Sequence, residues 1–156
     1  MAVTQVAYEV DGWGVGELWL DDERVVWHEL PYPSRAGRKL GTNELVERLQ
    51  AYFTGDESSF DDVPVDLEHE TPFLERCAYA LRAIPRGELV TYGELAALAG
   101  APGAARAAGS FCARNRLGLF VPCHRVVAAG GLGSYGSYGL EYKRRLLTLE
   151  GALASV

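Results

Sequence analysis

The chain has 156 residues, 48% of them hydrophobic, and is long enough to bury a core as one compact domain or two small ones. No apolar run reaches the roughly 18 residues of a spanning helix, and the N-terminus lacks the basic start and apolar segment of a secretion signal, so we expect a cytoplasmic protein. The cysteines and histidines are too scattered to predict a disulfide framework or a zinc site. They are Cys77, Cys112, Cys123, His28, His69 and His124.

The net charge of −6 is unevenly distributed along the chain. Residues 1–70 contain 5 basic and 16 acidic residues, a net charge of −11, whereas residues 71–156 contain 10 basic and 5 acidic residues, a net charge of +5. A polyanion such as DNA would therefore be bound by the second part alone. Basic residues that merely solvate helices predict the same asymmetry, so charge by itself leaves nucleic-acid binding open.

The first part of the chain is predicted to be α/β. A strand is expected at residues 6–10, followed by a hairpin in which the apolar segments 18–20 and 25–27 flank four polar residues. Apolar residues at helical spacing follow Asn43, a favourable N-cap, and predict a helix. The acidic, turn-rich segment 54–70 is interpreted as a solvated linker that ends the first domain near residue 70.

The second part is predicted to be mostly helical. Thr71 and Pro72 suit the start of a helix, and Cys77 lies on its apolar face, where we expect a buried thiol. The other members of this face are Phe73, Leu81 and Ile84.

Two short helices joined by a Gly-containing turn are predicted next. The first has the capping box Thr91-x-x-Glu94 and stops at Gly100, and the second consists almost wholly of small residues. This pattern is typical of a helix-turn-helix, in which small side chains let the second helix approach a partner closely. Ordinary tight packing of two helices predicts the same pattern, so both interpretations stay open.

The segment VPCHRVV raises the question whether Cys123 is a nucleophile. A thiol between apolar residues is usually buried and inert. However, His124 and Arg125 would be costly to bury without defined partners, which is unusual for a plain core. A Cys-His pair can supply a nucleophile and its base, although adjacency in sequence does not bring the side chains face to face, so a third group or a water would be needed.

Five motifs occur in an order and spacing that resemble a known family: IPRGELVTYGELAALAG, PGAARAAG, ARN, VPCHRVV and KRRLLTLEG. Through them the chain resembles the O6-alkylguanine-DNA alkyltransferases, in particular the bacterial Ogt-like members. The resemblance is strong over residues 71–152, and the N-terminal part matches in pattern only. It implies an RNase-H-like α/β domain at residues 1–70 and a mostly α, winged-helix-like domain with a helix-turn-helix at residues 71–156.

The resemblance implies a DNA repair protein that acts once. Such proteins bind duplex DNA, flip O6-alkylguanine, chiefly O6-methylguanine, into a pocket, and transfer the alkyl group irreversibly to their own cysteine, here Cys123. His124 would take the thiol proton through a water, Glu150 would polarise His124, and Asn115 would brace the turn before the cysteine segment. No cofactor, metal, membrane or required protein partner is implied, and we expect a monomer.

The resemblance also assigns DNA contacts to the helix-turn-helix. Arg106 would enter the base stack in place of the flipped nucleotide, and Tyr92 would press on the neighbouring phosphate. Ala105 and Gly109 would allow the second helix to approach DNA closely. Arg116 stands where the family usually has a proline, and we expect it to add a phosphate contact.

The lesion pocket is likewise implied by the resemblance. The backbone carbonyls of Cys123 and Val126 would read the guanine amino group. Ser137 and its loop would hydrogen-bond guanine O6, and Lys143 would flank the pocket.

The loop GSYGSYG departs from the family pattern. Counted back from the lysine, Tyr138 stands where a glycine is expected and Gly136 where a tyrosine is expected. Either the loop is shifted by one residue, with Tyr135 in the tyrosine's role, or the pocket is reshaped. The role of Ser137 depends on which alternative holds.

Two other functions compete with alkyl transfer. Alkyltransferase-like proteins bind the lesion without transfer, but typically carry tryptophan at the position of Cys123; the altered loop keeps this alternative open. A Cys-His hydrolase is the other, and it lacks an evident oxyanion loop.

Overall fold

The computed structural model describes residues 2–67 and 71–153. The chain divides into two compact units, one formed by Met1–Asp66 with Arg116–Gly118 and the other by Leu67–Asn115 with Leu119–Val156. Residue 70, where the sequence predicts the domain boundary, lies outside the described residues. The inclusion of Arg116–Gly118 in the first unit was not predicted, because it rests on pairing with strands far away in the sequence.

A three-stranded antiparallel sheet forms the centre of the first unit. Its strands are β1 (Val3–Val10), β2 (Gly14–Asp21) and β3 (Arg24–Tyr32), in the order β1-β2-β3. The predicted strand and hairpin are confirmed, with longer strands than expected. The hairpin turns without glycine because Asp22 adopts a φ of 56°, a left-handed conformation that Asp tolerates better than most residues.

One helix, α1 (Glu44–Phe53), lies in this unit and confirms the prediction from Asn43. The Asn43 side chain accepts a hydrogen bond of 2.7 Å from the backbone N–H of Val46, which satisfies a donor that the first helical turn leaves free. The apolar face of α1 is buried. Its buried residues are Val46, Leu49, Tyr52 and Phe53.

The acidic segment after α1 is packed, which corrects the expectation of a solvated linker. Phe60 and Val63 are buried, and the Phe60 ring lies 5.8 Å from the ring of Tyr52. Arg48 of α1 binds the carboxylate of Asp62 at 2.8 Å. The apolar residues within this acidic run therefore anchor it against α1.

His28 of β3 holds the segment Arg116–Gly118 within the first unit. The backbone N–H of His28 donates to the carbonyl of Arg116 at 2.8 Å, and its Nδ1 lies 2.7 Å from the carbonyl oxygen of Gly118. Because a carbonyl only accepts, Nδ1 carries the proton, and Nε2 accepts from the Tyr8 hydroxyl at 2.6 Å. Burial lowers the pKa of His28 to about 4, so this imidazole is neutral.

The second unit is mainly helical, with α2 (Pro72–Arg82), α3 (Tyr92–Leu98), α4 (Ala105–Ala113) and α5 (Leu140–Leu149). It also contains the two-residue strands β4 (Val90–Thr91) and β5 (Val126–Val127), which pair in parallel. Strands of two residues leave no periodicity to read, so the sequence did not predict them. Among the described residues, no helix is long and apolar enough to span a membrane.

The predicted helix starts in the second unit are confirmed. Thr71 caps α2 by accepting from the backbone N–H of Leu74, and Thr91 and Glu94 form both bonds of the capping box at the start of α3. Cys77 is fully buried, as expected. Ile84 lies beyond the end of α2, which corrects its assignment to that helix face.

Candidate active site

Cys123 begins a short 3₁₀ turn, Cys123–Arg125, and is only 3% exposed. Its backbone N–H donates to the carbonyl of Val121 at 2.8 Å. The same carbonyl accepts from Nδ2 of Asn115, also at 2.8 Å. Asn115 follows α4, so this bond ties the end of that helix to the segment that carries the cysteine.

The surroundings of Cys123 keep its thiol protonated. Burial raises the pKa of Cys123 well above its usual value, and a hydrogen bond with the Cys112 thiol raises it further. The side chain of Asn115 and the positive charge of Lys143 act in the opposite direction but are the smaller effects. A nucleophilic thiolate at this position therefore requires a base.

The hydrogen bond and protonation state of His124 suit the role of such a base. Its Nε2 lies 2.8 Å from Oε2 of Glu150, and both side chains are fully excluded from solvent. Because an ionised carboxylate only accepts hydrogen bonds, Nε2 carries the proton and Nδ1 presents its lone pair. Nδ1 has no hydrogen-bond partner among the described residues, and burial lowers the pKa of His124, so the imidazole is neutral and its lone pair is available.

Glu150 caps the C-terminus of α5 and is held by a second hydrogen-bond donor, the guanidinium of Arg125. Arg125 donates from Nε to Oε1 and from Nη2 to Oε2, each at 2.9 Å, and from Nη1 to the carbonyl of Ile84 at 2.7 Å. Burial opposes the ionisation of Glu150, but the bonds from His124 and Arg125 hold its pKa well below the usual range. The carboxylate is therefore ionised at neutral pH.

The pairing of Arg125 with Glu150 was missed in the sequence. The one available signal was an arginine within an apolar run, which has to find an acceptor when it is buried. The sequence does not say which of the acidic residues provides it.

Lys143 and Tyr92 fix the loop that follows the cysteine segment. Nζ of the buried Lys143 donates to the carbonyls of Val126, at 2.5 Å, and Ser134, at 3.0 Å, and lies 5.7 Å from the centre of the Tyr92 ring. The Tyr92 hydroxyl accepts from the backbone N–H of Ser134 at 3.3 Å. Burial lowers the pKa of Lys143 to about 8.

Three tyrosine rings lie beside the site, two from the loop GSYGSYG and the third, Tyr142, from α5. Tyr135 lies edge-on to His124 with ring centres 6.5 Å apart, and Tyr138 and Tyr142 lie 5.8 and 6.3 Å from Tyr135. The shifted-loop alternative, with Tyr135 in the tyrosine's role, stays a prediction. Ser137 is exposed in the 3₁₀ turn Gly136–Tyr138, and the sequence reading did not include Tyr142.

The remaining predicted residues divide between the two units. Ala105 and Arg106 begin α4, where Arg106 is exposed, and Gly109 lies in the same helix close to the Tyr92 ring. Arg116 instead belongs to the first unit, where its guanidinium binds the carboxylate of Asp66 at 3.1 Å and a backbone carbonyl of β3. This pairing does not support the phosphate contact expected of Arg116.

The described side chains do not suggest a metal centre. No group of three or more His, Cys, Asp or Glu side chains lies close enough to hold an ion within residues 2–67 and 71–153. The site therefore consists of a thiol, an imidazole, a carboxylate and a guanidinium, all contributed by the second unit.

Comparison with known families places this site in context. The family described as "6-O-methylguanine DNA methyltransferase, DNA binding domain" matches residues 72–152. A methylated-DNA–protein-cysteine methyltransferase of Metallosphaera sedula is 39% identical over 140 residues, which cover 87% of this chain and 86% of that protein. Its namesake from Mycobacterium bovis is 49% identical over 106 residues, which cover 67% and 62%.

Solved structures show the same fold. The O6-methylguanine methyltransferase of Mycobacterium tuberculosis matches with a TM-score of 0.81 and 34% identity, covering 99% of this chain and 96% of that one. The structure of Mycobacterium tuberculosis OGT in complex with DNA matches with a TM-score of 0.79 and 36% identity, covering 94% and 92%. The small sheet and helices described above are those of known alkyltransferases, and the chain belongs to the methylated-DNA–protein-cysteine methyltransferase family.

Proposed function

We propose that this chain repairs O6-alkylguanine, chiefly O6-methylguanine, in duplex DNA by moving the alkyl group onto Cys123, once per molecule. The observation that carries the proposal is the connected site of Cys123, His124 and Glu150. It contains a buried nucleophile, a neutral imidazole with a free lone pair, and an ionised carboxylate that orients the imidazole. Family membership supports the same chemistry.

In the proposed reaction the thiol proton of Cys123 passes through a water to Nδ1 of His124. The thiolate sulfur attacks the alkyl carbon, the S–C bond forms, and the C–O6 bond breaks with its electron pair leaving on the guanine. The guanine then takes up one proton, so the net change converts a thiol and an alkylguanine into a thioether and guanine. Because the thioether has no route back, each molecule reacts once.

DNA recognition is proposed for the surface of α3 and α4. Arg106 stands exposed in the first turn of α4, as an arginine that replaces a flipped nucleotide must. Ala105 and Gly109 present no bulky side chains on this helix. The Mycobacterium tuberculosis relative solved in complex with DNA supports DNA as the partner.

The finer architecture is part of the proposal. We assign residues 1–70 to an RNase-H-like α/β domain, supported by the antiparallel order β1-β2-β3 followed by α1. We assign residues 71–156 to a winged-helix-like domain, supported by the consecutive helices α3 and α4 and the small parallel sheet. A cytoplasmic monomer without a required protein partner completes the proposal.

Mass spectrometry tests the proposal directly. The intact protein is mixed with an excess of duplex oligonucleotide that carries one O6-methylguanine, and peptides are mapped afterwards. We expect one added methyl group per molecule, on Cys123, with no further turnover. Cys123→Ala should bind the lesion without gaining mass, while the matched variant Cys77→Ala should still be methylated. Lesion binding without a mass gain in the wild type would show a sensor, and release of repeated products would show an enzyme of another class.

A further inference from the structure

We propose that Arg125 is a positioning residue that keeps the Glu150–His124 pair electrically balanced, so that His124 is held as a neutral base beside the acceptor thiol. This inference rests on the proposed function, because it concerns the proton path of the same site. Arg125 acts through Glu150 and need not touch the reacting atoms.

The geometry of the Arg125 guanidinium suits this role. Two parallel hydrogen bonds of 2.9 Å join Arg125 to both oxygens of Glu150, and a third of 2.7 Å joins it to the carbonyl of Ile84. A bidentate pair of this kind fixes the plane of the carboxylate as well as its position. Oε2, which also accepts from His124, is therefore held facing Nε2.

The turn of the chain brings both donors to one carboxylate. His124 and Arg125 are consecutive residues of the 3₁₀ turn, which is closed by the bond from the Arg125 backbone N–H to the carbonyl of Pro122 at 2.9 Å. Glu150 reaches them from the end of α5. The imidazole and the guanidinium thus share one acceptor group.

The charges of the three side chains also balance. A buried carboxylate 2.8 Å from an imidazole would by itself favour the imidazolium form, which has no lone pair to take a proton. The guanidinium of Arg125 cancels that carboxylate charge, so the group of three is neutral overall when His124 is neutral. Arg125 thereby allows Glu150 to orient His124 without protonating it.

The other groups around His124 do not replace this effect. Lys143 of α5 also contributes positive charge, but its Nζ is bound to the carbonyls of Val126 and Ser134 and has no bond to the carboxylate. Cys123 is uncharged while its thiol is protonated, and the Tyr135 ring is inclined at 75° to that of His124 with the ring centres 6.5 Å apart. Arg125, by contrast, is in direct ionic contact with the Glu150 carboxylate at 2.9 Å.

Titration of His124 by NMR tests the inference without depending on alkyl transfer. Imidazole ¹⁵N shifts are followed between pH 5 and 8 in protein carrying Cys123→Ser, with His124 assigned through His124→Gln. We expect His124 to be neutral at pH 7 and to titrate with a midpoint below the ordinary histidine pKa of 6.5. Arg125→Gln keeps a hydrogen-bond donor but removes the positive charge. It should raise the midpoint of the His124 titration by about one pH unit or more, since an uncompensated carboxylate favours the charged imidazole. Arg125→Lys, which keeps the positive charge, should titrate with a His124 midpoint close to that of the protein with Arg125.

Arg82→Gln is the matched control, because Arg82 donates to the carbonyl of Phe120 and lies in a different helix from Glu150. It should leave the His124 midpoint in place. An unchanged or lowered midpoint in Arg125→Gln would overturn the inference. If that variant does not fold, Glu150→Gln gives the complementary test: the midpoint should then fall, because only the cation remains, and a rise would overturn the inference.

Failure of the inference and failure of the proposed function are separable. If the His124 midpoints change as expected but Cys123 never gains a methyl group, the charge balance is supported and the transfer function is refuted. A protein that is methylated normally but shows no shift would retain the function and refute the role of Arg125.

Discussion

Nε2 of His124 donates to Oε2 of Glu150 across 2.8 Å, and neither side chain is reached by solvent. This contact joins the turn after Pro122 to the end of α5 and leaves Nδ1 of His124 as a buried lone pair without a partner among the described residues. The contact therefore decides which nitrogen can serve as the base, and it makes the activity sensitive to substitutions at Glu150.

Glu150→Gln should slow the transfer of methyl from duplex DNA on the order of 100-fold at pH 7. The amide neither fixes the tautomer of His124 nor balances Arg125, and general-base catalysis contributes roughly 100-fold or more. Single-turnover kinetics with an O6-methylguanine duplex measure the effect. Glu141→Gln, which changes an exposed residue of the same helix, is the control and should react at the wild-type rate. Equal rates for both variants would contradict the relay.

His28 should make the stability of the protein dependent on pH. Its pKa is lowered from an ordinary 6.5 to about 4 in the folded chain, so the folded state binds fewer protons than the unfolded state between these values. The stabilisation is complete above about pH 6.5 and is lost as the pH falls through about 4, with a total of about 3 kcal/mol. His28→Gln should therefore show a shallower decline than the wild type in urea unfolding between pH 7 and 4.5. If the free energy of unfolding declines equally steeply in both proteins, His28 is not the source of the pH dependence.

Arg106→Ala should slow alkyl transfer from two kinds of substrate by different amounts. If Arg106 fills the space left by the flipped base, its loss slows transfer from duplex DNA, where flipping costs a few kcal/mol, far more than reaction with a free alkylated guanine base. Parallel rate measurements on the two substrates check this expectation. Equal losses on both would exclude the role in base flipping.

Arg114 and Arg116 should differ in their effect on DNA binding. Arg114 is exposed at the end of α4, whereas Arg116 is occupied by Asp66. If Arg114 contacts a phosphate, Arg114→Ala should reduce the slope of log affinity against log salt by about 1. Arg116→Ala should instead lower the urea midpoint and leave the slope nearly unchanged. A larger slope change for Arg116 would restore the phosphate contact expected from the sequence.

Gly133→Ala should disrupt the loop beside the site. Gly133 has a φ of +79°, and a Cβ there would lie 2.6 Å from the Tyr92 hydroxyl oxygen, closer than real Cβ contacts allow. Gly136→Ala is the control, because that residue also has a positive φ, of +53°, but open space around its Cβ position. Methyl transfer should fall more for Gly133→Ala than for Gly136→Ala, and the reverse order would argue against Tyr92 as the anchor of the loop.

Local features of the fold could be predicted because short stretches of chain carry them. Asn43, Thr71 and the pair Thr91 and Glu94 cap helices in the structure as their sequence positions indicate. The packing of Phe60 on α1 could not be predicted, because the acidic residues around it are typical of a solvated linker. Apolar anchors within such a segment become visible only when their partner is known.

The sequence by itself determined the hairpin, the positions of helices α1 to α4, the family, and the candidates Cys123, His124 and Glu150, because motif residues at fixed spacing are local information. Tertiary structure alone decided what those residues contact. Arg125 forms an ion pair with Glu150, Arg116 forms one with Asp66, and the Tyr135 ring packs beside His124. The physical reason is that a buried charge or lone pair takes its partner from whichever distant segment the fold brings within about 3 Å, and spacing along the chain does not encode that choice.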